Sequence, residues 1–359
     1  MIRAHVVKPV LVLGGALALL LLPATAAQAR VIDVRSTIQQ AVDAAQPGDV
    51  VLVPAGSYHE NVVVSTDRIS IVALPGAVLD GTGTSGSVGI RVAPLSPTGT
   101  LHGFRLQGLR VENYARDGVL LRHVDGFAIL GNSFVDNDDY GVFPVLSSHG
   151  LISANRASGS DDTGVYVGQS SDVTVTANRA EQNTVGFDIE NSTRISVAGN
   201  DGSANTLGLI VQGAPGLTIP NASDIAVDGN QLAGNNRPNP STDPDDLLSR
   251  LPSGTGLLTI DADRVTITDN LVTNNDSVGV ALISLPPDVA ALDPRVDPIP
   301  DDDHINRNTV LGNGSDPDPR LAPFPPADLL WDGTGTGNCW EANIFASAFP
   351  NPLPPCDPF

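Results

Sequence analysis

Two carboxylates, Asp188 and Glu190, stand two positions apart just after Gly186, where apolar and polar residues alternate. Side chains two positions apart in a β-strand point to the same side, about 6.5–7 Å from each other. Carboxylates at this separation suit the acid and base of inverting glycoside hydrolysis, and such close like charges raise one pKa. We therefore predict Asp188 and Glu190 as a catalytic pair.

Aromatic, amide and cationic side chains occupy matching positions of the neighbouring repeats described below. Phe143 and Tyr166 stand two residues after their repeat glycines, and Arg122 and Gln212 stand four residues after theirs. Aromatic rings present an apolar face with a polar edge and can stack on sugar rings. We predict these four residues to bind substrate. A lyase would also need a cation opposite a substrate carboxylate, and Arg91 and Arg122 are the nearest candidates.

Two aspartate pairs precede successive repeat glycines: Asp138-Asp139 and Asp161-Asp162. Stacked repeats would bring these four carboxylates together, and oxygen ligands suit Ca²⁺. The alternative is that these aspartates accept hydrogen bonds from turn amides, as aspartates in turns usually do. The sequence thus predicts a calcium site at this place, and no cofactor that the protein requires.

Composition limits the classes of function and fold. The 359 residues carry a formal net charge of −21, and Lys8 is the only lysine, so we expect no nucleic-acid binding. The five histidines after residue 29 share no ligand spacing, which argues against a transition-metal site. With 36 glycines, 29 prolines and 4% aromatic residues, the chain is unlike a helical protein.

An internal repeat of 22–23 residues organises the chain. A glycine followed by an apolar alternation recurs at Gly118, Gly141, Gly164, Gly186 and Gly208, and again at Gly256 and Gly279. Fourteen residues after a repeat glycine stand Asn132, Asn155, Asn178, Asn200 and Asn270. Nineteen residues after it stand Asn137, Asn183, Asn205 and Asn275. Two asparagine columns in one register indicate that successive repeats stack on each other.

Short strands repeated at this interval predict an all-β fold, a right-handed parallel β-helix of about nine to ten coils. One coil cannot bury its inner face alone, so neighbouring coils share backbone hydrogen bonds and an apolar column. The inward column is predicted to contain Val119, Val142, Val165, Phe187, Leu209, Leu257 and Val280. Asparagine tolerates the left-handed backbone of tight turns, and its amide can bond to the asparagine of the next coil.

We predict one domain with capped ends. Residues 30–320 form the β-helix, beginning with a short capping helix over residues 38–45 whose N-cap is Ser36 or Thr37. Residues 321–359 form a Pro-rich C-terminal cap. Insertions at about 213–221, 236–253 and 284–303 interrupt the coils. The first and third leave the same turn and are expected to wall one side.

The two ends of the chain indicate export. A basic start, an apolar run and the sequence Ala27-Gln28-Ala29 are typical of a secretory signal, so residues 1–29 are expected to be removed in a secreted or periplasmic protein. No later segment is long enough for a transmembrane helix. The only cysteines, Cys339 and Cys356, are predicted to form a disulfide.

The residues from Thr37 to Tyr58, including Gln46-Pro47-Gly48-Asp49 and Val53-Pro54-Ala55-Gly56, resemble the entry to the pectin-lyase-like β-helix superfamily. The repeats, such as Gly164-Val165-Tyr166-Val167, look like those of exported bacterial parallel β-helix proteins. The similarity covers most of residues 36–315 and implies the fold rather than a set of catalytic residues.

Two enzyme groups of that superfamily bear on the site. Alginate epimerases carry a Tyr-Gly-Phe-Asp-Pro-His stretch whose Asp and His transfer protons, and Phe143 and Val145 stand at those two positions here. Polygalacturonases carry an Asp-Asp pair before a strand, where this chain has Asp161-Asp162, but their companion motifs are absent.

Three functions follow as hypotheses. The first is polysaccharide binding along the outward strand face, and the second is polysaccharide hydrolysis or, less directly, elimination by a lyase. The third is a non-enzymatic accessory or structural role in the cell envelope. Glycan binding and turnover would separate them.

Overall fold

The structure, a computed structural model, describes residues 29–243 and 246–357. The predicted signal segment lies outside these residues except for Ala29. The chain winds into stacked coils whose strands form three long walls, and neighbouring strands pair in parallel.

The first wall, sheet 1, has twelve strands. In chain order they are Val31–Asp33, Val50–Val53, Ile69–Ala73, Leu101–Gln107, Val124–Leu130, Ser148–Ser153, Ser171–Thr176, Thr193–Ala198, Ser223–Asp228, Asp263–Thr268, His304–Asn306 and Cys339–Glu341. These are more rungs than the nine to ten predicted, because the strands at both ends lack the glycine–asparagine signature.

The second wall, sheet 2, has eleven strands and carries the repeat glycines. They are Val62–Val64, Ile90–Val92, Asp117–Arg122, Tyr140–Val145, Thr163–Gly168, Val185–Glu190, Leu207–Gln212, Thr255–Ile260, Val278–Ile283, Ala327–Trp331 and Ala348–Phe349. Val142 pairs with Val165, and Val165 with Phe187, so one coil takes 22–23 residues here, as predicted.

The third wall consists of a six-stranded sheet and a four-stranded sheet, which are joined by bridges from Arg179 to Asp201 and from Asp201 to Gln231. The six strands are Gly56–Tyr58, Ala77–Asp80, Arg110–Glu112, Ser133–Val135, Arg156–Ser158 and Arg179–Glu181. The four strands are Gln231–Ala233, Leu271–Thr273, Thr309–Leu311 and Ile344–Phe345. The all-β, parallel β-helix prediction is confirmed.

Helical structure in the described residues is short and lies outside the coils. The capping helix is Ile38–Ala44; Thr37 is its N-cap and accepts a hydrogen bond from the Gln40 amide. The other short segments are Leu247–Arg250, Pro287–Ala290 and Pro319–Leu321. None of them has the length and apolarity that a membrane-spanning helix needs.

The predicted inward column forms the centre of the core, and all seven of its side chains are at most 2% exposed. The first asparagine column forms a continuous ladder beside it, from Asn132 to Asn308, and the second forms a ladder from Asn183 onward, after Ser160 interrupts the column. The Asn178 side chain, for example, accepts from the backbone and side-chain nitrogens of Asn155, both at 2.9 Å, and donates to Asn200 at 3.0 Å. Its amide also donates to the buried carbonyl of Ile152 at 2.9 Å. The ladders thus satisfy backbone groups that the turns leave unpaired.

The left-handed turn residue is not the ladder asparagine itself. Ala154 and Ala177, each immediately before a ladder asparagine, have φ of 56° and 55°. A single left-handed residue turns the chain, and the asparagine that follows can then point its amide inward to the next coil. The expectation that the asparagines supply this conformation is wrong for that reason.

The repeat glycines are required by space. A Cβ on Gly186 would lie 2.5 Å from the carbonyl oxygen of Gly208 on the next coil and 2.9 Å from the amide nitrogen of Asn205. Gly118 and Gly164 meet the next ladder asparagine in the same way. Each of these glycines therefore packs against the asparagine 19 residues later, which explains the spacing.

The strands of all three walls continue beyond residue 320, through Ala327–Trp331 to Ala348–Phe349. Cys339 and Cys356 form a disulfide, and the tail pairs in parallel with the last strand of sheet 1, where the Trp340 backbone amide donates to the Pro354 carbonyl. The C-terminal end is thus built from further rungs as well as a disulfide-closed tail.

Candidate functional site

The outward face of sheet 2 carries two columns of predicted site residues. Register places Arg91, Leu120, Phe143, Tyr166, Asp188 and Ile210 in the first column. The second column contains Arg122, Val145, Gly168, Glu190 and Gln212. Cations therefore lie at one end, aromatic rings in the middle and carboxyl groups beyond them.

The middle of this face is an aromatic cluster of Tyr140, Phe143 and Tyr166. The centroid of the Tyr166 ring lies 5.0 Å from that of Tyr140 and 4.8 Å from that of Phe143, edge-on to the latter. Tyr166 is only 6% exposed, so it does not present an open face to solvent. Tyr140 and Phe143 remain partly exposed and are the rings available for stacking.

Asp188 and Glu190 project beside this cluster and have different partners. The Gln212 amide donates to both oxygens of Asp188, at 3.2 and 3.4 Å. The Tyr166 hydroxyl donates to Glu190. The Tyr166 ring reaches across its own strand because Gly168 has no side chain; a Cβ there would strike the ring. Asp188 is 6% exposed, whereas Glu190 is partly exposed.

Burial controls the ionisation of these groups. It raises the pKa of Asp188 well above the ordinary carboxyl value, and the nearby Glu190 and Asp162 charges add to the effect. Burial also raises the pKa of Glu190 to about 7, against the opposing hydrogen bond from Tyr166, and that of Asp162 to about 6. The Tyr166 pKa is raised by burial and by both carboxylates, so its hydroxyl remains a donor.

This arrangement can hold a protonated carboxyl beside one that ionises near neutral pH. Burial and the mutual repulsion of the two carboxylates favour one shared negative charge, so Asp188 and Glu190 together can supply an acid and a base, as acid–base catalysis requires. The sequence predicted both residues as site residues. It did not predict the hydrogen bond from Tyr166 to Glu190 or the place of Tyr140 in the aromatic cluster.

The four predicted calcium ligands line one cleft, together with Ser241 and Asp246. Arg116 pairs with Asp139 at 2.8 Å, and Thr163 donates to Asp162 at 2.8 Å. The donor set is all oxygen, as calcium prefers, but these contacts occupy part of it. Within residues 29–243 and 246–357, no group of three or more His, Cys, Asp or Glu has the geometry of a metal site. Calcium binding stays a prediction.

The two arginines lie at the other end of the columns and are exposed. Arg91 is in register with Leu120, and Arg122 with Val145. Arg122 is three rungs and Arg91 four rungs from the carboxyl pair, with each rung adding about 4.8 Å. The structure thus places cations on the same face as the carboxyl groups but separated from them by the aromatic cluster.

A group of two histidines and one aspartate on sheet 1 was not predicted from the sequence. Asp125 lies between two imidazoles, with Nδ1 of His149 at 2.6 Å and Nδ1 of His102 at 3.5 Å. The residues are 23 and 24 positions apart, which is one coil each. A comparison of residues one coil apart would have identified this group, whereas a search for ligands close together in the sequence does not.

Comparison with known proteins shows which family and which solved structures this chain resembles. The chain matches the family described as "Right handed beta helix region" over residues 117–288. No curated protein matches its sequence.

Several solved structures share the fold. The A-module of Azotobacter vinelandii mannuronan C-5 epimerase AlgE6 is 17% identical, with a TM-score of 0.66 over 87% of this chain and 83% of that one. The periplasmic alginate epimerase AlgG is 14% identical, with a TM-score of 0.59 over 88% and 84%. DFA-IIIase from Arthrobacter chlorophenolicus A6 is 11% identical, with a TM-score of 0.57 over 89% and 98%.

At these identities the neighbours establish the fold alone. Together, the family match, the stacked parallel coils and the structural neighbours show that this chain folds as a right-handed parallel β-helix.

Proposed function

We propose that the protein binds a polysaccharide along the outward face of sheet 2. The observation that carries the proposal is the contact between the aromatic cluster and the carboxyl pair: partly exposed Tyr140 and Phe143 lie against Tyr166, which donates to Glu190. Rings of this kind can stack on sugars while carboxyl and amide groups bond to hydroxyls. The neighbours named as alginate epimerases support a saccharide ligand.

The same residues define where a bound chain would lie. Phe143 supplies the stacking ring, Glu190 and Gln212 supply hydrogen-bonding groups, and Arg122 lies towards the other end of the face. Stacked rungs about 4.8 Å apart give this face the length to follow a linear polymer. We assign the protein to the periplasm or the extracellular space, on the grounds of the disulfide and the predicted signal segment.

Affinity electrophoresis against neutral and acidic polysaccharides tests binding. The wild type should be retarded by at least one polymer, and Phe143→Ala should lose most of that retardation because the exposed stacking ring is removed. Thr174→Ala, which changes an exposed residue on sheet 1, is the matched control and should be retarded like the wild type. Equal mobility of the wild type in every gel would refute the proposal.

A second candidate function is catalysis, specifically hydrolysis of the bound polysaccharide. It is favoured by the carboxyl pair, because burial raises the pKa of both Asp188 and Glu190. Asp188 would protonate the leaving oxygen and Glu190 would activate water, a pairing that contributes about 10²–10⁴ in rate.

Turnover of the polysaccharide that binds tests this candidate. Asp188→Asn and Glu190→Gln keep the size of the side chains and should each lower the rate by at least about 100-fold. Asp188→Asn should keep binding in the affinity gel, and Glu190→Gln should keep at least part of it, because the Gln amide can still bond to sugar hydroxyls. Product formation at the wild-type rate in both variants would remove the catalytic assignment without affecting the binding proposal.

A further inference from the structure

An apolar cavity of about 350 Å³ lies over the C-terminal half of the outward face of sheet 2. Its floor continues the column that holds Asp188, with Leu258, Ala281 and Leu330 on successive rungs. Its walls come from the insertions, through segments 247–252 and 285–289, and from segment 321–324. The insertions therefore border a partly open cavity above the sheet.

The lining of this cavity suits the uncharged, apolar part of a ligand. The floor residues are at most 4% exposed, and the walls add Val289, Leu321 and Phe324. Apolar surface of this kind gains free energy when an apolar molecule replaces the water that covers it. The volume is at the lower end of the range of about 300–1,000 Å³ found for small-molecule sites.

Charged groups in the lining are already paired. Arg250 bonds to Asp288 at 2.7 Å, and Arg320 to Asp318 at 2.9 Å. A ligand that enters here gains little from carrying its own charge, because both guanidinium groups have a carboxylate partner. Hydrocarbon is the chemistry that complements the remaining surface.

Gln212 connects this cavity to the carboxyl site. Its side chain lines the cavity, and its amide donates to both oxygens of Asp188. A molecule with an apolar chain in the cavity would therefore have its polar end at Gln212, next to Asp188 and Glu190. One residue borders both environments, so a single amphiphilic molecule can fill them.

We propose that the cavity holds the alkyl or acyl chain of an amphiphilic saccharide whose sugar occupies the carboxyl site. The sugar half of this inference rests on the proposed function, whereas the chain half rests on the cavity alone. The ligand class is thus a sugar that carries a hydrocarbon substituent.

Titration calorimetry with two homologous series tests the two halves separately. The first series is 1-alkanols from butanol to decanol, and the second is n-alkyl maltosides below their micelle concentrations, with free maltose as the chainless control. In both series Kd should fall about fourfold for each added methylene until the cavity is full. At equal chain length the maltosides should bind more tightly than the alkanols.

Two substitutions of the floor provide the structural control. Ala281→Phe fills the cavity and should abolish the dependence on chain length while leaving any binding of free maltose unchanged. Leu258→Ala enlarges the cavity and should shift saturation to a longer chain, which keeps the test valid if Ala281→Phe does not fold. The hydrogen bonds to Asp188 and Glu190 come from Gln212 and Tyr166, so neither substitution removes one of them.

The outcomes are distinct. Alkanol affinity that is independent of chain length, or a dependence that persists in Ala281→Phe, overturns the cavity assignment and leaves the polysaccharide proposal standing. Chain-dependent alkanol binding with no gain from the maltose head supports the cavity but overturns its link to the sugar site.

Discussion

Asn178 lies in the middle of the first asparagine ladder, and replacing it with alanine should destabilise the protein by about 2–6 kcal/mol. The substitution removes the side-chain partner of two buried backbone groups. In the wild type the Asn155 backbone amide lies 2.9 Å from the Asn178 side-chain oxygen, and the Ile152 carbonyl lies 2.9 Å from the Asn178 side-chain nitrogen. Each buried group left unsatisfied costs about 1–3 kcal/mol. The loss of the bond to Asn200 adds to this cost.

Asn178→Asp separates the two contributions. It keeps an acceptor for the Asn155 amide but removes the donor to Ile152, and it places a carboxylate beside that carbonyl oxygen. The cost should therefore be larger at neutral pH than at pH 4, where a protonated carboxyl can donate again. The second ladder already has an aspartate at its end. Asp328 accepts hydrogen bonds from the backbone and side-chain nitrogens of Asn313, at 3.0 and 2.9 Å.

Urea unfolding followed by far-ultraviolet circular dichroism measures these changes, with Thr174→Ala as the matched control. Thr174 is exposed on a neighbouring strand of sheet 1, and its loss should change the free energy of unfolding by no more than about 0.5 kcal/mol. An Asn178→Ala variant as stable as that control would show that the ladder does not stabilise the coils, and the reasoning would fail.

Three further predictions follow from the fold. Reducing the Cys339–Cys356 disulfide, which closes a 17-residue separation, should lower the free energy of unfolding by about 3 kcal/mol in a reductant-dependent melt; equal melting temperatures would contradict this. Burial raises the pKa of Asp261 to about 8, so its contribution to stability is complete below about pH 4 and is lost as the pH rises through 8. Urea midpoints should therefore fall from pH 5 to pH 8.5, and fall less in Asp261→Asn; identical slopes would refute the assignment. Gly186→Ala should cost about 1–3 kcal/mol in the same urea assay, because its Cβ would lie 2.5 Å from the Gly208 carbonyl oxygen, and a neutral effect would count against that contact.

The sequence was sufficient for the coil architecture because coil register is periodic. Val165 and Phe187 are 22 residues apart and pair directly, so alternation within each repeat predicted which side chains face inward. The capping helix was also predictable, with Thr37 as one of two candidate caps beside Ser36, since capping is a local interaction. Local pattern and stacking period together account for most of the fold.

The environment of the candidate site was less predictable, because it depends on segments that break the period. Alternation places Tyr166 and Asp188 outward, yet both are buried. Aromatic neighbours lie over Tyr166, and the absence of a side chain at Gly168 leaves room for its ring. Likewise, the apolar cavity beyond Gln212 depends on how the insertions fold back over Leu258. Neither contact has a sequence signal that recurs from coil to coil.

A crystal structure with an oligosaccharide of the polymer that binds most tightly would test the central claim most directly. The account predicts a sugar ring stacked on Phe143 and hydroxyl groups within hydrogen-bonding distance of Glu190. A sugar bound on sheet 1 or on the third wall, with the face that carries Phe143 and Glu190 free of ligand, would contradict it.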